Sequence, residues 1–283
     1  MRAEHELLWR RTRSGLHVPV RPIAGGADWP LSGGGERVES GVDSANSGGV
    51  AVTAGGSTHT KGAYAQLIAS VAAHGTWLTI EANAASTSNP FLIDIAVGGA
   101  GSEQVVLPNV LVRGANTSGT ILHLPFLVPA GARLSARCQN ATPSAALRLA
   151  AQVHAGDFAM VPFGRAEAVG ALTASSTGTT ITASGSANTK GAWTQLIAST
   201  AFRYRWLLVS LVNAASQRAL FDIGIGGAGS EVVILPDLSC LNQTAGEALL
   251  HPVDVPAGSA LSARMAVANA LGQTGTCAAI GIG

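Results

Sequence analysis

Apolar and polar residues alternate along this chain with the two-residue period of half-buried strands. Leu78, Ile80 and Ala82 interleave with Thr79, Glu81 and Asn83, and Ile93, Ile95 and Val97 interleave with Asp94 and Ala96. The alternation returns as Phe221, Ile223 and Ile225 against Asp222 and Gly224. Further strand-like runs are Gln104 to Val112, Ile121 to Val128, Leu134 to Cys138 and Leu147 to Val153, set apart by Gly, Pro, Asn and Ser. No window carries a long helical stripe. Short strands punctuated in this way predict an all-β chain of antiparallel β-sandwiches, six to eight strands each and jelly-roll-like.

The pattern occurs twice because the sequence does. Lys61-Gly-Ala-Tyr-Ala-Gln-Leu-Ile-Ala-Ser70 returns as Lys190-Gly-Ala-Trp-Thr-Gln-Leu-Ile-Ala-Ser199, and Asp94-Ile-Ala-Val-Gly-Gly-Ala-Gly-Ser-Glu103 as Asp222-Ile-Gly-Ile-Gly-Gly-Ala-Gly-Ser-Glu231. Pro129-Ala-Gly131 and Leu134-Ser-Ala-Arg137 return as Pro256-Ala-Gly258 and Leu261-Ser-Ala-Arg264. Displacements of 129, 128 and 127 residues are domain-sized and too long for solenoid repeats. Two tandem sandwiches are expected, at 50–165 and 166–283, behind an extended N-terminal arm with a Gly/Ser-rich linker at 1–49. Within the arm, Leu7, Leu8 and Trp9 among Arg2, Arg10, Arg11 and Arg13 suggest a short helix. Pro19, Pro22 and Pro30 then interrupt regular structure. Apolar anchors and arginines on a tether suit an assembly arm, with Trp9, Arg10, Arg11, Arg13 and Trp29 as its contacts.

Composition narrows the function. Only 12 % of residues are charged, 47 % are apolar and mean hydropathy is +0.32, as expected of a subunit that hides surface against neighbours in a homo-oligomer. A net charge of +1 gives no nucleic-acid footprint. No apolar run approaches the roughly 18 residues of a membrane span, and no signal peptide is recognisable, so neither membrane insertion nor secretion by that route is expected. Seventeen basic residues include just two lysines, Lys61 and Lys190, at one repeat position. Cys138, Cys240 and Cys277 suggest small buried hydrophobes, neither a disulfide framework nor a zinc site.

Candidate chemistry is sparse. Gly224-Ile-Gly-Gly-Ala-Gly229 spells a dinucleotide-binding motif, but a strand-like run closed by Pro236 follows it where a helix is required. A turn is expected there, and no cofactor or metal. Asp94, Glu103 and Arg137, recurring as Asp222, Glu231 and Arg264, include two carboxylates of the kind that catalyse glycoside hydrolysis. Duplication of the whole set favours structural ion pairs, with a bidentate Asp–Arg bridge between neighbouring strands. His123 and His251 each precede a proline and read as structural, and no G-x-S-x-G elbow accompanies them. Repeated Tyr64/Trp193 and Trp77/Trp206 are expected in the core, leaving Trp9, Trp29 and Tyr204 as potential sugar platforms.

The runs Asp94 to Pro108 and Asp222 to Pro236, with Val128 to Arg137 and Val255 to Arg264, resemble segments of structural proteins of tailed bacteriophages. The resemblance covers both repeats and not the arm. It implies a non-enzymatic virion component, assembled in the host bacterial cytoplasm with other tail or capsid proteins. The expected place is the tail, tail-tip or fibre apparatus. A head-decoration or head-fibre protein and a host-receptor or glycan-binding module are the alternatives.

Overall fold

The computed structural model describes residues 8–11, 17–20, 37–39, 48–71, 74–113, 119–155, 163–170, 178–213, 218–240, 247–268 and 272–283. Its described elements are all strands. The first three are β1 (Leu8–Arg11), β2 (His17–Val20) and β3 (Arg37–Glu39). The first sandwich continues with β4 (Val50–Thr53), β5 (Ala65–Ile68), β6 (Gly75–Asn83), β7 (Phe91–Val97), β8 (Gln104–Val112), β9 (Thr120–Leu124), β10 (Leu134–Gln139) and β11 (Ala146–Ala155). The second comprises β12 (Ala166–Val169), β13 (Thr179–Thr182), β14 (Thr194–Ile197), β15 (Tyr204–Asn213), β16 (Ala219–Ile225), β17 (Val232–Cys240), β18 (Glu247–Val255), β19 (Leu261–Val267) and β20 (Thr274–Ile282).

The strand order is a jelly roll, twice. In the first copy β4, β11, β6 and β9 form one sheet, and β5-β10-β7-β8 form the other. In the second the sheets are β13, β20, β15 and β18, and β14-β19-β16-β17. Counting the eight main strands of each copy from one, both read 1-8-3-6 and 2-7-4-5, with every pairing antiparallel. An additional strand, β3 or β12, extends each first sheet along β11 or β20. Residues 37–39, assigned from sequence to the linker, thus pair with the first sandwich. The helix expected near the N-terminus is overturned at residues 8–11, whose backbone pairs as β1 with β2 across Leu8↔Val20 to Arg11↔His17. Trp9, Arg10 and Arg11 fall in that ladder; the surroundings of their side chains, and Arg13 and Trp29 altogether, lie outside the described residues.

Alternation fills the two cores. Leu78, Ile80, Ile93, Ile95, Leu107, Leu124, Leu134 and Leu147 are fully buried in the first. Phe221, Ile223, Leu261, Met265 and Cys277 occupy the second. Tyr204 is 0 % exposed and donates its hydroxyl to Glu167, with burial pushing its pKa up. It is a core residue and no sugar platform. All three cysteines are buried and none forms a disulfide, and burial pushes the Cys138 and Cys277 thiols up to about 12.

The copies differ in what covers them. The outer face of the β12-β20-β15-β18 sheet carries Leu208, Ile280 and Ile282, which join the apolar cluster of the first sandwich. Trp206 and Leu250 pack against the same cluster. β12 and β20 lie against β8, and β18 lies against β9. The second sandwich therefore closes the open side of the first, between edge strands β8 and β9.

Candidate functional site

A short segment before β5 and β14 builds the repeated polar cluster. Gly62 passes so close to β4 that a Cβ would fall 1.9 Å from the Thr53 carbonyl oxygen, and at Gly191 the Thr182 oxygen lies 2.2 Å away. Only glycine lets this segment lie flat enough to hang Lys61 and Tyr64, or Lys190 and Trp193, over the outer face of the second sheet. On that face Asp94 stands directly across the ladder from Arg137, and Asp222 from Arg264.

The fifth member comes from an irregularity in the edge strand. Register shifts between β7 and β8, and between β16 and β17, leave Pro108-Asn109 and Pro236-Asp237 as extra residues opposite the central aspartate. Asn109 has φ 51° and Asp237 φ 50°, left-handed values that Asn and Asp tolerate best after glycine. The kink aims their backbone N–H groups at Asp94 Oδ1 (2.9 Å) and Asp222 Oδ1 (3.0 Å). Proline, which donates nothing to a ladder, sits on an edge where no partner strand needs its N–H.

The bonds then close on the carboxylate. Lys61 Nζ donates to Asp94 Oδ1 at 2.9 Å, to Asn109 Oδ1 at 2.6 Å and to the Leu92 carbonyl at 3.5 Å. Arg137 Nε donates to Asp94 Oδ2 at 2.9 Å, and its guanidinium lies 4.7 Å above the Tyr64 ring. In the second copy Lys190 Nζ lies 2.6 Å from Asp222 Oδ1 and 2.8 Å from Asp237 Oδ1. Arg264 Nε lies 2.8 Å from Asp222 Oδ2 and stacks 4.4 Å over Trp193. The bidentate Arg–Asp geometry expected from sequence is replaced by a single Nε contact, because lysine and a backbone N–H already hold the other oxygen.

Electrostatics follow from this packing. Desolvation pushes Asp94 and Asp222 up, but the backbone N–H, the lysine and the arginine together more than offset it and hold both carboxyls below their ordinary value. Desolvation lowers Lys61, opposed by its hydrogen bond and charge contact with Asp94. Every oxygen of the two aspartates is engaged, so neither presents a free base.

Glu103 and Glu231 stand apart from these clusters. Each closes the glycine turn before its strand, accepting the Gly101 or Gly229 N–H at 2.9 Å. Gly98 is required there: at φ 119° a Cβ would lie 2.7 Å from the Ser102 carbonyl oxygen. Glu103 also pairs with Arg133 at 3.0 Å, whereas the second copy has Ala260 in that place.

One sequence expectation about aromatics is corrected, and the repeated histidines prove to occupy different positions. Tyr64 and Trp193 are half-buried surface rings stacked on arginines, not core anchors. His123 and His251 are not equivalent: His123 faces outward opposite Thr79, and His251 stands opposite Leu207 where the first copy has Leu124. A one-residue difference between His-Leu-Pro and His-Pro moves the side chain to the other face of the sheet. The lysines and the Asn109/Asp237 kink escaped attention as site members. The signals were present in the two lone lysines and the repeated proline dipeptide. Among the described residues no group of three His, Cys, Asp or Glu is placed to hold a metal ion, and no helix is long and apolar enough to cross a membrane.

No family model and no curated protein matches the sequence. Among solved structures, a structure of PNGF-II aligns over 87 % of this chain at 9 % identity and TM-score 0.39, and this chain spans 65 % of it. The CBM22-1-CBM22-2 tandem domain of Paenibacillus barcinonensis Xyn10C aligns over 89 % of this chain and 91 % of its own length, at 12 % identity and TM-score 0.25. Likeness at these scores carries no argument about function.

Proposed function

We propose that this chain is a non-enzymatic structural component of a tailed-bacteriophage virion, sited in the tail, tail-tip or fibre apparatus and docked through its N-terminal arm. The observation that carries the non-enzymatic part is the closure of both aspartate clusters. The same polar set is built twice, and each time its carboxylate is spent on tying the Lys61 or Lys190 segment to the edge-strand kink. A catalytic pair would leave an acid or base facing a cleft. The virion part rests on the resemblance of both repeats to phage structural segments, on low surface charge, and on a doubled jelly roll, an architecture used by viral capsid proteins and by lectins. Mass spectrometry of purified virions tests it. The chain is expected in the particle, in multiples of three or six for a tail location, and a copy number in the hundreds moves it to the head. Absence from the particle refutes the reading.

One observation favours a second reading, a host-glycan-binding module. Tyr64 and Trp193 present partly exposed rings beside charged hydrogen-bonding groups, the combination that sugars stack upon. A glycan array decides it: binding lost in Tyr64→Ala and Trp193→Ala supports this role, and no binding removes it.

A further inference from the structure

The chain contains its own template for what covers the open side of such a sandwich. Around β8 and β9 that side is closed by the outer sheet face of the other repeat. The matching side of the second sandwich, between β17 and β18, has no such cover among the described residues. Ladder registers make Leu122 and Leu249 equivalent, opposite Ile80 and Val209; Leu122 is 2 % exposed and Leu249 is 49 %. Val232, at the start of β17, is 64 % exposed. A cavity of about 450 Å³ lined by Ile234, Pro252, Val253 and Asp254 lies in the gap.

We infer that a second copy of this chain seats here, its first sandwich laying the outer face of β11-β6-β9 against β17 and β18, so that molecules associate head to tail. That face is the counterpart of the one the second sandwich uses within the chain, and Ile121 on it is 55 % exposed. The two surfaces have changed together. Within the chain, Val212 on the covering face meets Leu92 and Leu111 on the covered side. The registers place Asn83 at the position of Val212, and Ser239 at that of Leu111. Leu220 keeps the position of Leu92, so an apolar contact within the molecule becomes a mixed, more polar one between molecules. Polarity changes likewise: exposed His123 stands where the second sandwich has Leu250 on its covering face, and Asp254, paired with Arg203 and Arg205, stands where the first has Leu127. A more polar version of the same contact suits an association that forms and dissociates. A head-to-tail contact uses different surfaces on the two partners, and repetition gives a ring or a ladder.

This inference does not depend on which particle the chain belongs to, and mixing two variants of the full-length chain tests it. Leu249→Arg blocks the receiving side and Ile121→Arg blocks the covering face; both positions are exposed, and far-UV circular dichroism confirms folding. By analytical ultracentrifugation the parent is expected to grow in mass with concentration, each variant alone to remain a monomer, and an equimolar mixture to form a 1:1 dimer that grows no further. A parent that stays monomeric to its solubility limit overturns the inference. So does an Ile121→Arg protein that associates like the parent, since the receiving sides would then be meeting one another.

Discussion

Gly224→Ala is the substitution whose outcome follows most directly from comparing the two copies. Trp193 lies against Gly224, and a Cβ added there would come within 2.8 Å of Trp193 Cη2 and 3.1 Å of Cζ3. The first copy holds the smaller ring Tyr64 and the larger Ala96 at the matching positions. Ring and backbone residue therefore trade volume. The indole is clamped by Arg264 at 4.4 Å, so it cannot swing away without giving up that contact. Overpacking of this kind costs about 1–3 kcal/mol. Gly224 does not have a positive φ, so alanine also recovers roughly 0.4–1 kcal/mol through the unfolded chain. The net expectation is a destabilisation of about 1–2 kcal/mol. Trp193→Tyr in the same protein makes room, and the double variant Trp193→Tyr/Gly224→Ala reproduces the pair found in the first copy. Urea unfolding of the four proteins gives the coupling energy, expected at about 1–2 kcal/mol in favour of the double variant. The comparison uses midpoints at unchanged slope, because two packed sandwiches need not unfold in a single step. Additive effects, or a Gly224→Ala protein as stable as the parent in the tryptophan background, would refute the reasoning.

His251→Leu installs the residue of the first copy, Leu124. Its imidazole Nε2 is buried without a hydrogen-bond partner, so removal should stabilise by about 1–2 kcal/mol in urea unfolding at pH 7. Desolvation holds the His251 pKa below 6.5, so the parent binds fewer protons folded than unfolded and loses stability as pH falls below that value. The leucine variant should lack this acid slope. Asp222→Ala leaves Arg264 without its carboxylate and Lys190 with Asp237 alone, and should cost about 2–4 kcal/mol by the same assay, less than for a fully buried pair because both cations are partly exposed. Asp94 and Asp222 have folded pKa values below 3.8, so their contribution is complete above that pH and lost as pH falls through the folded values; in Asp94→Asn/Asp222→Asn that acid limb should flatten.

Much of the architecture was legible because its determinants are local. Alternation at Leu78 to Asn83 and at Asp94 to Val97 located strands and their inward faces, and the internal repeat located two units. The Asp–Arg partners were legible as well, because both lie on the outward face of predicted strands. Other features depend on long-range geometry. β3 is three residues long in a Gly/Ser-rich stretch, and only its pairing with β11 makes it a strand. Tyr64 and Trp193 carry the composition of core residues and lie outside because the Gly62 and Gly191 segments cross over the sheet. Tyr204 lies inside, its hydroxyl satisfied by Glu167, a residue 37 positions away. The swapped faces of His123 and His251 arise from one missing residue, which sequence similarity alone aligned away.

Electron cryo-microscopy of the purified virion tests the central claim most directly. The account predicts several symmetry-related copies of a doubled jelly roll, with Asp94 and Asp222 each enclosed by lysine, arginine and the edge-strand backbone. A virion without this chain, or either aspartate turned away from its arginine onto a bound reactant, would contradict it.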